Sequence, residues 1–129
     1  MGIRCVAVVA AVLAGVLSMT IQAQAACYED VGCTDRSRFD ETKLGQLASC
    51  DILFEMRNTM FKERGYCFKT PRAIEMFGNA GCRHDQIASV PLNDIERANV
   101  ATITRLEALK QCTTNAAVPA APGGSGGAR

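Results

Sequence analysis

The 129-residue chain has one histidine, His84, in the stretch Cys82-Arg83-His84-Asp85. A nucleophile–histidine–acid triad needs that histidine beside an activated serine or cysteine. No serine lies in a nucleophile-turn motif, and the cysteines are expected to be paired, so His84 reads as an ordinary surface-loop residue. G-x-G-x-x-G, P-loop and H-E-x-x-H patterns are missing, which removes the motif case for nucleotide or zinc-peptidase chemistry. The acids are read as scattered along solvated helix faces, with nothing to single out a catalytic pair. No C-x-x-C pair occurs either. The gaps between Cys27, Cys33, Cys50, Cys67, Cys82 and Cys112 hold 5, 16, 16, 14 and 29 residues. A structural zinc site favours close pairs, so metal and cofactor are both read as none.

Excess charge of one sign is missing as well. The chain carries 14 Lys plus Arg and 13 Asp plus Glu. Removing residues 1–25 takes away one cation, Arg4, and leaves 13 of each. A zero balance argues against a general nucleic-acid binder, which is basic overall. Long apolar runs are confined to Cys5 to Met19, short of the roughly 20 residues that a membrane span needs. That run follows Arg4 and precedes Ala23-Gln24-Ala25, an A-x-A cleavage pattern, so residues 1–25 read as a secretory signal peptide. Membrane contact is expected only through that segment before cleavage. A lipidated Cys27 is disfavoured, because Gln24 stands where an apolar residue is wanted.

Residues 114–129 are read as a disordered tail, since Ala116 to Arg129 is mostly Ala, Pro and Gly. One small domain, residues 26–113, is left between the two ends. A domain that small builds a thin core and needs covalent staples. Six cysteines in a short exported chain read as a disulfide framework.

Cys27 to Arg38 reads as an irregular loop. Asp40 is expected to cap a short helical turn that Gly45 ends. Ser49 caps the first long helix, with Asp51 in its first turn and Ile52, Leu53, Met56, Met60 and Phe61 on its apolar face. Gly65 ends it. Thr70 and Pro71 start a short helix whose apolar residues are Ile74, Met76 and Phe77, and Gly78 stops it. Asn79 to Val90 is read as loop. Asn93 and Glu96 form a capping pair for the last helix, Asp94 to about Lys110, with Ile95, Val100, Ile103, Leu106 and Leu109 as its buried stripe. No stretch alternates with period two. The fold class is therefore mainly α: a small disulfide-stapled helical domain with two main helices and short intervening helices and loops.

Six cysteines allow fifteen pairings, and spacing alone does not choose among them. The helix layout predicts Cys27–Cys33, Cys50–Cys112 and Cys67–Cys82. The first closes a short loop. The second joins the start of one long helix to the end of the other, which antiparallel packing brings together. The third brackets the Pro71 helix, and the turn at Gly65 aims Cys67 back toward Cys82.

The stretch Met56-Arg57-Asn58-Thr59-Met60-Phe61-Lys62-Glu63-Arg64-Gly65-Tyr66-Cys67-Phe68 resembles the signature of the YARHG domain family. Arg57, Asn58, Gly65, Tyr66 and Phe68 match that pattern, and Met56 and Phe61 are similar substitutions. Lys62, Glu63 and Arg64 stand where the family has Ala, Arg and His. Phe77 and the run from Leu92 to Glu107 are similar to its later blocks. The resemblance implies an exported bacterial helical domain with no catalytic residues to carry over.

Arg57 and Asn58 are expected to form hydrogen bonds tying their helix to neighbouring backbone, and Tyr66 and Phe68 to pack against the helix end. Between Arg57 and Arg83 six cations face two acids, a local balance of +4. Lys62, Arg64, Lys69, Arg72 and Arg83 would then offer a basic face to an anionic envelope component. An ordinary solvated surface is the reading preferred over it. Together these features point to a non-enzymatic exported module, periplasmic or secreted, that binds or scaffolds an unidentified partner. A small extracytoplasmic hydrolase or enzyme inhibitor is the alternative.

Overall fold

The computed structural model describes residues 25–112, so the signal-peptide reading of 1–25 falls almost wholly outside the described residues and the tail reading entirely so. The order is β1 (Cys27–Tyr28), β2 (Gly32–Cys33), α1 (Glu41–Leu47), α2 (Cys50–Glu63), α3 (Pro71–Phe77), a 3-10 turn (Ile87–Ser89) and α4 (Asp94–Leu109). The fold is mainly helical, as the periodicity predicts. The centre is α2 against α4, with α1 on α4 and α3 on α2. Between them lie Leu44, Leu53, Phe54, Met56, Met60, Phe61, Phe68, Val100, Ile103 and Leu106, all buried.

Local signals set most helix ends. Asp40 accepts a hydrogen bond from Lys43 N–H at 2.7 Å. Ser49 Oγ accepts one from Ile52 N–H at 3.3 Å. Asn93 and Glu96 form a complete reciprocal capping box. At the far end of α2, Tyr66 N–H donates to Phe61 C=O and Gly65 N–H to Lys62 C=O, both at 3.0 Å. This is the Schellman pattern, and it needs a left-handed residue at Gly65, whose φ is +83°. The end of α4 repeats the pattern: Cys112 N–H donates to Glu107 C=O at 2.9 Å and Gln111 N–H to Ala108 C=O at 3.1 Å. Here the left-handed position falls on Gln111, with φ +54°.

Three disulfides join the pairs named above. The sequence separation is 6 for Cys27–Cys33, 62 for Cys50–Cys112 and 15 for Cys67–Cys82. Antiparallel contact of α2 with α4 places Cys50 and Cys112 at the same end, with Cα atoms 5.5 Å apart.

Several local expectations are corrected. Cys27 to Arg38 is not wholly irregular: Cys27 pairs with Cys33 and Tyr28 with Gly32 in a two-residue antiparallel hairpin, too short to show period two. Gly45 does not end α1, which runs on to Leu47. It faces α4 instead, where a Cβ would stand 3.0 Å from Leu106 Cδ2. Thr70 occupies the N-cap of α3 without a side-chain capping bond, and its Oγ1 is buried with no hydrogen-bond partner. α3 buries Ala73 and partly Phe77, while Ile74 and Met76 are exposed. Seven residues make only about two turns, so few side chains can face inward and Ala73 and Phe77 supply the apolar contact. Ile52 and Leu109 are also exposed. No described helix is long and apolar enough to cross a membrane.

Candidate functional site

The signature residues converge where α2 ends. Phe61 and Tyr66 meet edge to face with centroids 5.9 Å apart, Tyr66 and Phe68 likewise at 5.3 Å, and Phe68 stacks on Phe77 at 5.2 Å. Edge and offset geometries suit the ring quadrupoles. Phe61, Tyr66 and Phe68 are each buried, so these rings are core. Asn79 clamps the backbone of Phe68: its Oδ1 accepts from Phe68 N–H at 2.7 Å and its Nδ2 donates to Phe68 C=O at 2.9 Å.

The backbone beyond the turn is also held. Arg83 N–H and His84 N–H both donate to Gly65 C=O, at 2.7 and 3.0 Å, and Cys67 N–H donates to His84 C=O at 2.8 Å. Tyr66 and His84 thus form an isolated parallel bridge, next to the Cys67–Cys82 bond. His84 serves here through its backbone rather than as a free loop residue. A Cβ at Gly65 would lie 3.2 Å from Arg83 Nε, a crowding that an exposed arginine can relieve by a small shift, so the positive φ is what asks for glycine.

Arg57 and Asn58 are both buried. Arg57 forks onto the side chain of Glu107 of α4, with Nε–Oε2 at 2.9 Å and Nη2–Oε1 at 3.0 Å. Asn58 Nδ2 donates within its own helix to Phe54 C=O at 2.8 Å. Arg64, at the signature's histidine position, donates through Nε to Glu96 at 2.9 and 3.1 Å. Glu96 is only 1% exposed and also accepts from Asn93 N–H at 2.7 Å. The acids are therefore not all on solvated faces. Glu96 and Glu107 are drawn inward because a guanidinium and, for Glu96, a helix cap meet them.

The cations of the basic segment are mostly engaged internally. Lys62 Nζ donates to Gly78 C=O at 2.9 Å. Lys69 pairs with Asp85 and Arg72 with Asp51, each at 2.7 Å. Arg72 also lies 4.0 Å over the Phe54 ring. Arg83 is exposed, with its guanidinium against Gly65. The Lys69 ammonium, through its hydrogen bond and then its charge, holds the Asp85 carboxyl below the ordinary range. The five cations do not assemble into one uncompensated face. The local +4 balance missed this because Asp51, Asp85 and Glu96 lie outside the window in which it was counted.

Two polar anchors escaped the sequence reading. Asn99, 1% exposed on α4, accepts from Phe39 N–H at 2.9 Å and donates to Thr34 and Ser37 carbonyls at 3.0 and 2.8 Å. It fixes the segment between the hairpin and α1. Its signal was a polar residue four before Ile103 on the apolar stripe. Glu63, at the signature's arginine position, accepts from Ala26 N–H at 2.8 Å. Burial, then the charges of Glu96 and Asp35, push its carboxyl up, against the Ala26 bond and Arg64. Tyr28 is raised mainly by burial as well, opposed by its hydrogen bond to Thr59.

Among the described residues no group of three or more His, Cys, Asp or Glu is placed to hold a metal. No curated protein and no solved structure matches the chain. A model of the YARHG domain does match, over residues 29–108, from the hairpin through nearly all of α4. That span is more than half of the chain, and the chain belongs to the YARHG domain family.

Proposed function

We propose that this chain is an exported, non-enzymatic YARHG module that binds or scaffolds a partner in the periplasm or at the cell envelope. One observation carries the reading: the signature's polar and charged side chains are consumed by the fold. Arg57 is on Glu107, Arg64 on Glu96, Lys62 on Gly78 and Asn58 on Phe54. Residues so used build a rigid shape and leave the exposed surface to meet a partner.

Three further facts support it. All six cysteines from Cys27 to Cys112 are bonded in pairs, as suits an oxidising compartment. The A-x-A pattern before Ala26 suits export. Leu47, Ile52, Ile74, Met76 and Leu109 stay exposed, whereas Lys62, Arg64, Lys69 and Arg72 are engaged within the domain. A protein partner is therefore favoured over an anionic polymer.

The test is capture from envelope extract on the immobilised mature chain. A specific protein that stays bound through a wash at about 1 M salt, where exposed charges are screened, is the expected result. Release of an anionic polymer by that wash would replace the apolar contact with the basic face. No retained component, together with a measured turnover of any substrate, would overturn the proposal.

A further inference from the structure

Ala26 is held by both of its backbone polar atoms. Its N–H donates to Glu63 Oε1 at 2.8 Å, and its C=O accepts from Thr34 N–H at 2.9 Å. Cys27, next in the chain, is bonded to Cys33. The position of the Ala26 nitrogen is therefore set by residues that follow it and by α2. The carboxylate that holds that nitrogen is under-used, and so is an acid that acts on it. Glu63 Oε2 and Asp35 Oδ1 are both buried with no hydrogen-bond partner. Asp35 follows Thr34 and is near enough for its charge to act on Glu63. Glu63 is also the last residue of α2, where the helix dipole disfavours negative charge and favours a cation. A peptide N–H brings one donor and no charge to this place. An α-ammonium brings three donors and a full positive charge.

We propose that Ala26 becomes the first residue of the mature protein and that its α-ammonium pairs with Glu63, locking the hairpin to the end of α2. This rests on the export reading above. The Ala23-Gln24-Ala25 pattern places the cut at the Ala25–Ala26 bond. A signal peptidase hydrolyses that bond with water. The hydroxyl goes to the Ala25 carbonyl carbon, which leaves with the leader as a carboxylate, and Ala26 nitrogen gains protons to become the ammonium. No group from Ala26 onward has to move, so processing converts a neutral hydrogen bond into a charged one in place.

The charges that face Glu63 are Arg64 at the cap of its helix, Asp35 beyond the hairpin, Glu96 on α4 and the Tyr28 phenol. Before the cut, burial holds the Glu63 carboxyl above its ordinary range, so its ionised form opposes folding at neutral pH. After the cut the ammonium favours the carboxylate, and the carboxylate raises the amine. A raised amine contributes stability that is fully present below its unfolded pKa of about 8. That stability is lost as pH rises through the higher folded value. It also falls away in acid as Glu63 becomes protonated.

The experiment compares the mature chain from Ala26 to Arg129 with the same chain acetylated at Ala26. Acetylation keeps the N–H and removes the charge. The free-amine chain is expected to melt about 5 °C higher at about pH 6, the effect of one charge-assisted bond in a domain this size. The gap should shrink by more than half near pH 10 and vanish in Glu63→Gln. Equal melting at pH 6, or a gap that survives Glu63→Gln, would overturn the pairing. Intact mass of the exported protein reads the processing separately: a first residue other than Ala26 would sink the proposal. Neither readout depends on partner capture, so failure here and failure of the binding reading are distinguishable.

Discussion

Arg64→Ala isolates the contact between the turn at Gly65 and the start of α4. Arg64 Nε sits 2.9 Å from Glu96 Oε1, and the Glu96 side chain is 1% exposed while Arg64 is 37% exposed. Removing the guanidinium leaves a buried carboxylate with one remaining partner, Asn93 N–H at 2.7 Å. Breaking a fully buried pair from one side costs about 3–5 kcal/mol. The exposed half of this pair is already partly solvated, and water reaches the vacated space, which brings the expected loss to about 2 kcal/mol. In a domain of this size that lowers the melting midpoint by roughly 10 °C. Arg64→Lys keeps the charge but not the planar donor geometry and should fall between the two. Urea and thermal melts of Arg64→Ala, Glu96→Gln and the double variant complete the cycle. The double variant should cost clearly less than the sum of the singles, because Gln carries no charge to strand. An Arg64→Ala midpoint within about 2 °C of the parent, or strict additivity in the cycle, would refute the reasoning.

Gly65→Val should cost about 2–3 kcal/mol in urea melts, since a β-branched residue is forced to positive φ and meets Arg83. A loss below about 1 kcal/mol would show that the turn relaxes freely. Gln111→Gly should instead stabilise by about 0.5 kcal/mol: φ is +54° there, and relief of that conformation exceeds glycine's entropic cost. A lower midpoint would count against it. Under limiting thiol, Cys27–Cys33 should reduce first, its short loop contributing about 2 kcal/mol against about 4 kcal/mol for Cys50–Cys112 in the chain-entropy model. Differential alkylation reads the order, and early loss of Cys50–Cys112 would contradict it.

Helix ends were legible because their determinants are local. Ser49, Gly65 and the Asn93–Glu96 pair act on backbone groups within five residues, and such spacings are visible in a string. Gly45 was misread because its role depends on Leu106, which the fold alone brings near. The same holds for the exposed Ile74 and Met76: a short helix offers too few turns for periodicity to say which side faces in. The signature's location was readable, but its purpose was not. Whether Arg57 meets a ligand, a carbonyl or Glu107 is decided by the packing of α2 on α4, fifty residues apart in the chain. Asn99 showed only as a break in an apolar stripe, and the three groups that it joins lie 60 to 65 residues upstream.

The Cys50–Cys112 bond has a mechanical meaning. Tension applied between Ala26 and Cys112 runs through the sulfurs and bypasses the backbone between them. The 62-residue separation that the bond closes would otherwise extend by about 210 Å; with the bond intact that length cannot be drawn out. Only the segment before Cys50 can yield, and Cys27–Cys33 shortens even that. The three helices from Cys50 to Leu109 therefore remain a nearly inextensible link under load, whatever pulls on the chain from either side.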